Sequence, residues 1–327
     1  MQKILRSFFI IIILLSQFLF SEEKLAQTGF QFLSVCSDAR ASALGQAMTA
    51  VEANSSSLFF NPATMAKNDK FIDVSFSNNP WIASIQHNSL SFSVNPGKQY
   101  GIFGLSFKSV NYGELQGTIN WPNEKGYYET NVFEPTAFIV GIGYAKQLNN
   151  KLSIGGQLSK AYQYLGKSVV SSKGGTNYKN NNTTSIAMDF GTYLETGFKS
   201  LAFGMSVRNF SNEIKYEDES FQLPLNFTLG VSMDMMDLTD GINTDKHSLL
   251  LAVDATHPRS HREQIKFGID YSLLNMLNLR AGYIMGNDEN DVAFGAGISK
   301  FGLAFDYAVI PFGVFGNVTQ FTMRLSL

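Results

Sequence analysis

The chain has 327 residues with a formal net charge of -2, and 44% of them are apolar, 13% aromatic and only 16% charged. Soluble proteins carry roughly 25% charged residues, so an ordinary cytosolic enzyme is a poor match. A near-neutral balance with no extended Lys/Arg run leaves no electrostatic footprint for nucleic acid. Beyond the start of the chain no apolar run reaches the ~20 residues of a spanning helix, which excludes a helical membrane protein.

Residues 1–21 combine a basic start (Lys3, Arg6), an apolar stretch from Phe8 to Leu15 that continues to Phe20, and Ser21 ahead of Glu22 and Glu23. That order is a secretory signal peptide, with cleavage expected after Ser21. The rival reading, a membrane anchor, is opposed by Ser16 and Gln17, which interrupt a stretch already too short to span. Cys36 is the only cysteine, so an intrachain disulfide is impossible, and a small buried thiol is expected.

Residues 22–70 lack any strand period. The Ala, Leu and Met content of residues 37–51 predicts a helix despite Gly45, and a second short helix is expected to start at Asn54 or Ser55 and end before Pro62. Ala39, Ala41, Ser42, Ala43, Gly45 and Ala47 are small enough for close packing against a wall. The segment reads as a compact hatch, and Asn61-Pro62-Ala63 as a turn that shapes it.

From Phe71 to Leu327 one device repeats: apolar residues at every second position over about nine to eleven residues, then a turn. Leu90, Phe92 and Val94 oppose Ser89, Ser91 and Ser93, and Phe103, Leu105 and Phe107 oppose Gly104, Ser106 and Lys108. About fourteen such strands are expected, forming an all-β, transmembrane antiparallel barrel. Charge assigns the faces, because Lys or Arg on the lipid face at mid-membrane costs about 2–4 kcal/mol. Asp189, Arg208, Asp254, Lys266, Asp270, Arg280, Asp306 and Arg324 fall in phase with the small polar residues and are therefore expected in the lumen. Lys160 is out of phase, near a strand end from which its side chain can reach the headgroups.

Connections alternate in length as in outer-membrane barrels. Residues 96–99, 148–151, 198–200, 273–276 and 300–302 read as tight turns. Residues 110–131, 165–183, 210–222, 256–263 and 311–318 read as long external loops. The connection at 236–245 is too long for its place among the short ones. A soluble propeller or sandwich could also alternate in strand direction, but neither requires this asymmetry.

The run from Asp38 to Val51, DARASALGQAMTAV, followed by Phe60-Asn61-Pro62-Ala63, resembles the N-terminal signature of the PorV/PorQ family of FadL-like outer-membrane barrels. The resemblance extends more loosely to Gly316-Asn317 and the last strand. It implies a fourteen-stranded barrel with an N-terminal hatch, in which Arg40, Gly45, Asn61, Pro62 and Ala63 belong to the hatch motif. It also implies one of two roles: an accessory in type IX-like protein secretion or surface attachment, or a channel for hydrophobic small molecules. The sequence departs from the family pattern at Thr64, where Gly is usual, and at Leu327, where a terminal aromatic is common.

Little points to catalysis. There is no phosphate-binding Gly loop and no Gly-x-Ser-x-Gly elbow. His257 and His261 have the spacing of a helical metal site, but Pro258 between them makes a solvated loop the better reading. No cofactor or metal is expected. Asp38 and Arg40 form the most interesting charge pair, since a hatch must dock against lumen charges such as Asp270, Arg280, Asp306 or Arg324. Trp81, Trp121, Tyr127 and Tyr128 fall in external loops. Expected partners are outer-membrane lipid, with exported proteins, secretion components or hydrophobic small molecules left open.

Overall fold

The computed structural model describes residues 28–172, 175–216, 219–238, 246–287 and 291–327; the expected signal peptide lies outside them. In chain order the strands are β1 (Ile72–Pro80), β2 (Gln86–Val94), β3 (Ile102–Asn111), β4 (Leu115–Asn120), β5 (Tyr127–Phe133), β6 (Thr136–Gln147), β7 (Leu152–Ser172), β8 (Gly175–Glu195) and β9 (Ala202–Phe210). They continue as β10 (Ile214–Tyr216), β11 (Glu219–Phe221), β12 (Asn226–Asp234), β13 (His247–Pro258), β14 (Gln264–Leu273), β15 (Leu277–Met285), β16 (Val292–Lys300), β17 (Leu303–Pro311) and β18 (Asn317–Ser326). All but β4, β5, β10 and β11 form one closed barrel of fourteen strands. Closure is made by β1 against β18, from Asp73 opposite Ser326 to Asn78 opposite Phe321. Each barrel strand is antiparallel to its neighbours, so no edge is left for lipid to meet unpaired.

The period of two sets the faces. Phe103, Leu105 and Phe107 of β3 point outward and are exposed, whereas Ser106 and Lys108 are buried inside. Ser89, Ser91 and Ser93 of β2 are likewise buried, with Leu90 outward. Lys160 lies opposite Val140 and Ile186 on the outer face, so it is the out-of-phase cation the sequence suggests.

Tight connections cluster at one end, for example residues 148–151, 274–276 and 301–302. That end is periplasmic by the usual asymmetry of such barrels. Several expected loops prove to contain strands. Residues 110–131 include β4 and part of β5, which pair as a separate hairpin. Within 210–222, β10 and β11 pair in the same way. Residues 165–183 are largely a continuation of β7 and β8, each 21 residues long, past a register shift between Tyr164 and Lys167. Outside lipid both faces of such a hairpin meet water, so the apolar alternation that reveals a membrane strand is missing. The expected loop at 256–263 starts later, because β13 runs to Pro258.

The helical expectations for the N-terminal segment also change. Among the described residues of the segment, only Ala39–Ala43 is α-helical (α1). It ends where Gly45 (φ 59°) and Gln46 (φ 63°) take the left-handed conformation, a helix stop that glycine makes cheaply. Asn54–Phe59 is a 3₁₀ helix preceded by Ala53 rather than by a capping side chain. The supposed turn at Asn61-Pro62-Ala63 opens a further 3₁₀ helix, Pro62–Lys67, with Asn61 as its N-cap.

Candidate functional site

The lumen is the candidate site, and the N-terminal segment fills it. Phe30, Phe32 and Leu33 pack near the external ends of the strands, against Val110, Ala137, Ala161 and Ala187. Gly29 N donates to Gln222 O beside β11 at 3.1 Å. From there the chain descends through α1 and the two 3₁₀ helices to Lys67, whose ammonium meets Glu195 at the periplasmic end of β8 at 2.9 Å. The segment therefore runs from the outer mouth to the inner one before β1 begins.

Its backbone is seated on inward glycines of the wall. Gly104 faces Gly143, Gly155 faces Gly191, Gly204 faces Gly230 and Gly268 faces Gly282 as cross-strand partners. A Cβ at Gly191 would lie 1.8 Å from Asn61 Oδ1, one at Gly204 2.1 Å from Thr49 O, and one at Gly282 2.0 Å from Gly45 N. Larger residues at these positions cannot coexist with the segment where it stands. The signal was present in the sequence as glycines in the inward phase, but only pairing reveals that they lie side by side.

Ion pairs and hydrogen bonds fix the register of segment and wall. Asp38 caps α1, its Oδ1 accepting from Ala41 N at 3.2 Å, while its Oδ2 meets Arg324 Nη2 at 3.1 Å. Arg40 pairs with Asp270 at 3.1 Å and donates to Glu52 O at 2.9 Å. The two charges of the Asp38/Arg40 pair thus each bind a wall residue instead of one another. Arg280 bridges Asp270 (3.0 Å) and Asp306 (2.5 Å), with all three side chains buried. Asp254 Oδ2 accepts from Met48 N and Thr49 N at 3.0 and 2.9 Å. Lys266 donates to Gln46 Oε1 at 3.2 Å. Buried charges need such partners, because an unpaired one costs several kcal/mol.

Asn61 is fully buried and joins three pieces of backbone: Nδ2 donates to Thr49 O (2.7 Å) and Thr192 O (3.0 Å), and Oδ1 accepts from Ala63 N (3.1 Å). Pro62 and Ala63 press on Gly155, where a Cβ would come within 2.6 Å of either. Thr64 is buried too, its hydroxyl donating to Asn61 O at 3.0 Å and sharing a hydrogen bond with Ser57 Oγ at 2.8 Å, which gives a use to the residue that departs from the family pattern. The remaining lumen charges, Asp189 and Arg208, sit on β8 and β9 near a register shift. Asp189 accepts from Gln157 Nε2 at 2.9 Å and Asn209 N at 2.6 Å.

The sequence reading does not single out Asp73 or Lys108, although both lie on the inward phase. Asp73 is fully buried and accepts from Ser55 N (2.9 Å), Asn54 Nδ2 (3.2 Å) and Ser326 Oγ (2.6 Å). Lys108 donates to Val35 O and Leu33 O, tying down the upper part of the segment. Cys36 lies near Asp38 and Lys108, and burial pushes its thiol above the ordinary range. His257 pairs with Glu263 at 2.9 Å, and His261 with Ser260 at 2.8 Å, so the two histidines face separate partners. No cluster of three metal-ligating side chains occurs among the described residues.

Above α1 a cavity of about 280 Å³ remains on the side of β9, β12, β13 and β14. Its lining includes Arg208, Thr228, Asp254 and Lys266 of the wall, Cys36 and Thr49 of the N-terminal segment, and the aromatics Trp81 and Phe312.

The family model for the type IX secretion system protein PorV matches residues 20–252, well over half of the chain. The chain belongs to the PorV family. Among solved structures, the toluene transporter TodX of Pseudomonas putida is 10% identical, with 93% of this chain and 99% of that one covered and a TM-score of 0.58. The toluene transporter TbuX of Ralstonia pickettii is 11% identical, with coverage of 88% and 98% and a TM-score of 0.57. A FadL homologue of Pseudomonas aeruginosa is 12% identical, with coverage of 89% and 98% and a TM-score of 0.52. At such identities these neighbours speak to fold alone, a closed barrel like theirs; membership of the PorV family together with a closed fourteen-stranded barrel makes the chain an outer-membrane protein. No curated protein sequence matches the chain.

Proposed function

We propose that this PorV-family barrel is a plugged accessory of type IX-like protein secretion or surface attachment, which offers its external loops to exported proteins or to other secretion components. The observation that carries the reading is the seating of residues 28–70 on paired wall glycines, with Asn61, Asp38 and Arg40 bonded to the wall. Anything crossing the lumen has to displace that contact. The family description points the same way. In this reading residues 1–21 are the cleaved signal peptide, residues 22–70 the hatch and residues 71–327 the barrel. The protein acts by binding, without catalysis or cofactor, and its constant partner is outer-membrane lipid.

A channel for hydrophobic small molecules is the second reading, favoured by the cavity left above α1. One pair of proteins separates the two: the intact chain, and a variant lacking residues 22–66 that keeps the signal peptide. In a planar bilayer the intact protein is nearly silent and the deletion variant conducts small ions. Both are then tested for uptake of an apolar probe and for retention of exported proteins by pull-down. Retention with no uptake by either protein supports the secretion role. Uptake by the intact protein that is lost on deletion overturns it.

A further inference from the structure

The β4–β5 hairpin carries apolar surface that the barrel does not use. It stands beyond Asn111 opposite Thr136, the last rung of β3 and β6, and it forms a two-stranded sheet of its own. Cross-strand pairs Leu115/Phe133, Gln116/Val132, Ile119/Tyr128 and Asn120/Tyr127 put a large apolar or aromatic side chain on nearly every rung. Phe133 is anchored at the foot, so close to Gly166 of β7 that an added Cβ there would lie 2.4 Å from its ring. The others face solvent: Leu115, Tyr127 and Val132 are exposed, as are Trp121 at 53% and Tyr128 at 60%. A lone two-stranded hairpin is marginally stable in water. Clustered exposed apolar residues mark interaction sites, and aromatics are enriched at the centres of protein interfaces.

Charge selects what covers it. Residues 112–135 hold Glu114, Glu124, Glu129 and Glu134 against Lys125 alone. That excess of anions opposes insertion among the phosphate-bearing headgroups of the outer leaflet. It equally opposes pairing with the same hairpin of a second copy, because like charges brought together across an interface are repelled. A cationic protein surface meets neither obstacle. The neighbouring β7–β8 hairpin has the reverse sign, with Lys167, Lys173 and Lys179 and no carboxylate between Gly166 and Thr184. A basic partner is therefore drawn to β4–β5 and turned away from β7–β8, which gives the contact an orientation as well as a place.

We propose that the β4–β5 hairpin is the docking surface for an exported protein, and that it takes a patch of that protein in which Lys or Arg surrounds apolar side chains. Trp121 and Tyr128 are the apolar anchors, and Glu124 and Glu129 the charge contacts. The proposal rests on the secretion reading and deepens it, since it names one external hairpin and the chemistry of the partner that the hairpin recognises.

The test is photo-crosslinking in cells whose only copy of the full-length chain has p-benzoylphenylalanine in place of Tyr128, with the attached peptides identified by mass spectrometry. A second strain has the crosslinker in place of Val314, which is 95% exposed on the β17–β18 connection. Position 128 captures an exported protein through a peptide richer in Lys and Arg than in Asp and Glu, and position 314 does not. Trp121→Ser lowers the yield at position 128 about tenfold, as expected for an aromatic anchor, and Glu124→Lys with Glu129→Lys lowers it by about as much. Capture of lipid or a second copy alone, an acidic captured peptide, equal capture from position 314, or an unchanged yield in both variants overturns the proposal. Deleting the whole chain separates this from failure of the secretion reading. If deletion lowers the amount of exported protein at the cell surface while position 128 captures none, the docking proposal falls and the secretion reading stands; if deletion leaves export unchanged, both fall. Should a variant fail to fold, capture from position 128 in the otherwise intact chain decides alone.

Discussion

Asn61→Ala tests whether the hatch is locked to the wall or only rests in it. The substitution removes three buried hydrogen bonds, at 2.7, 3.0 and 3.1 Å. A typical bond contributes about 0.5–1.5 kcal/mol, with an added cost for each partner left buried and unpaired. Thr192 O is also part of a strand ladder, so the main orphans are Thr49 O and Ala63 N. A total near 3 kcal/mol follows, which is roughly a 150-fold shift toward a released hatch. Gly191→Ala attacks the same contact from the wall: its Cβ would lie 1.8 Å from Asn61 Oδ1, 2.9 Å from Asn61 Cγ and 3.3 Å from Pro62 Cδ. Because Asn61 is held on three sides, it cannot swing away, and overpacking costs about 1–3 kcal/mol. In the double variant the two nearest atoms are gone and only the Pro62 contact remains. Its loss should therefore fall short of the sum of the single losses by about 1–2 kcal/mol. Open probability in planar bilayers reads the equilibrium directly. Additive effects, or an N61A protein as silent as the intact one, would refute the lock.

Arg280→Gln should cost about 3–5 kcal/mol, since it leaves Asp270 and Asp306 buried and short of their bridge; an unchanged urea midpoint in lipid vesicles would count against this. Phe267→Lys should reduce folding yield into vesicles far more than Lys266→Gln, because only the first sets a charge among lipid tails; equal yields would contradict the assignment of faces. Single cysteines at Glu124 and Lys151 should be labelled from outside intact cells at the first position only, and the reverse pattern would invert the topology. Cys36 should be alkylated more slowly at neutral pH than a cysteine at Ser260, since a raised pKa leaves less thiolate; equal rates would show that its environment does not suppress ionisation.

The parts of this protein legible in the sequence are those that depend on neighbours one or two residues away. Alternation along β2 and β3 is local, and the cost of a charge in lipid decides which phase faces inward, so the barrel and the lumen side of Asp270 or Arg280 follow without knowledge of pairing. The same locality explains the failures. The outer parts of β7 and β8 and the hairpins β4–β5 and β10–β11 meet water on both faces, so no alternation marks them as strands. The helix expected over residues 37–51 stops early because Leu44 and Gly45 meet Gly268 and Gly282 of the wall, and no helix propensity encodes that approach.

What the sequence by itself determined, then, is an exported, lipid-embedded barrel of about fourteen strands with a non-strand N-terminal segment, and a set of charges that had to be buried. Which charge meets which was decided by tertiary structure. Asp38 and Arg324 are 286 residues apart and become neighbours only when β18 closes on β1 and the segment threads the lumen. Arg40 finds Asp270 for the same physical reason: closing a sheet into a barrel brings inward side chains from distant strands into one desolvated space, where each must find a partner that its own strand cannot supply.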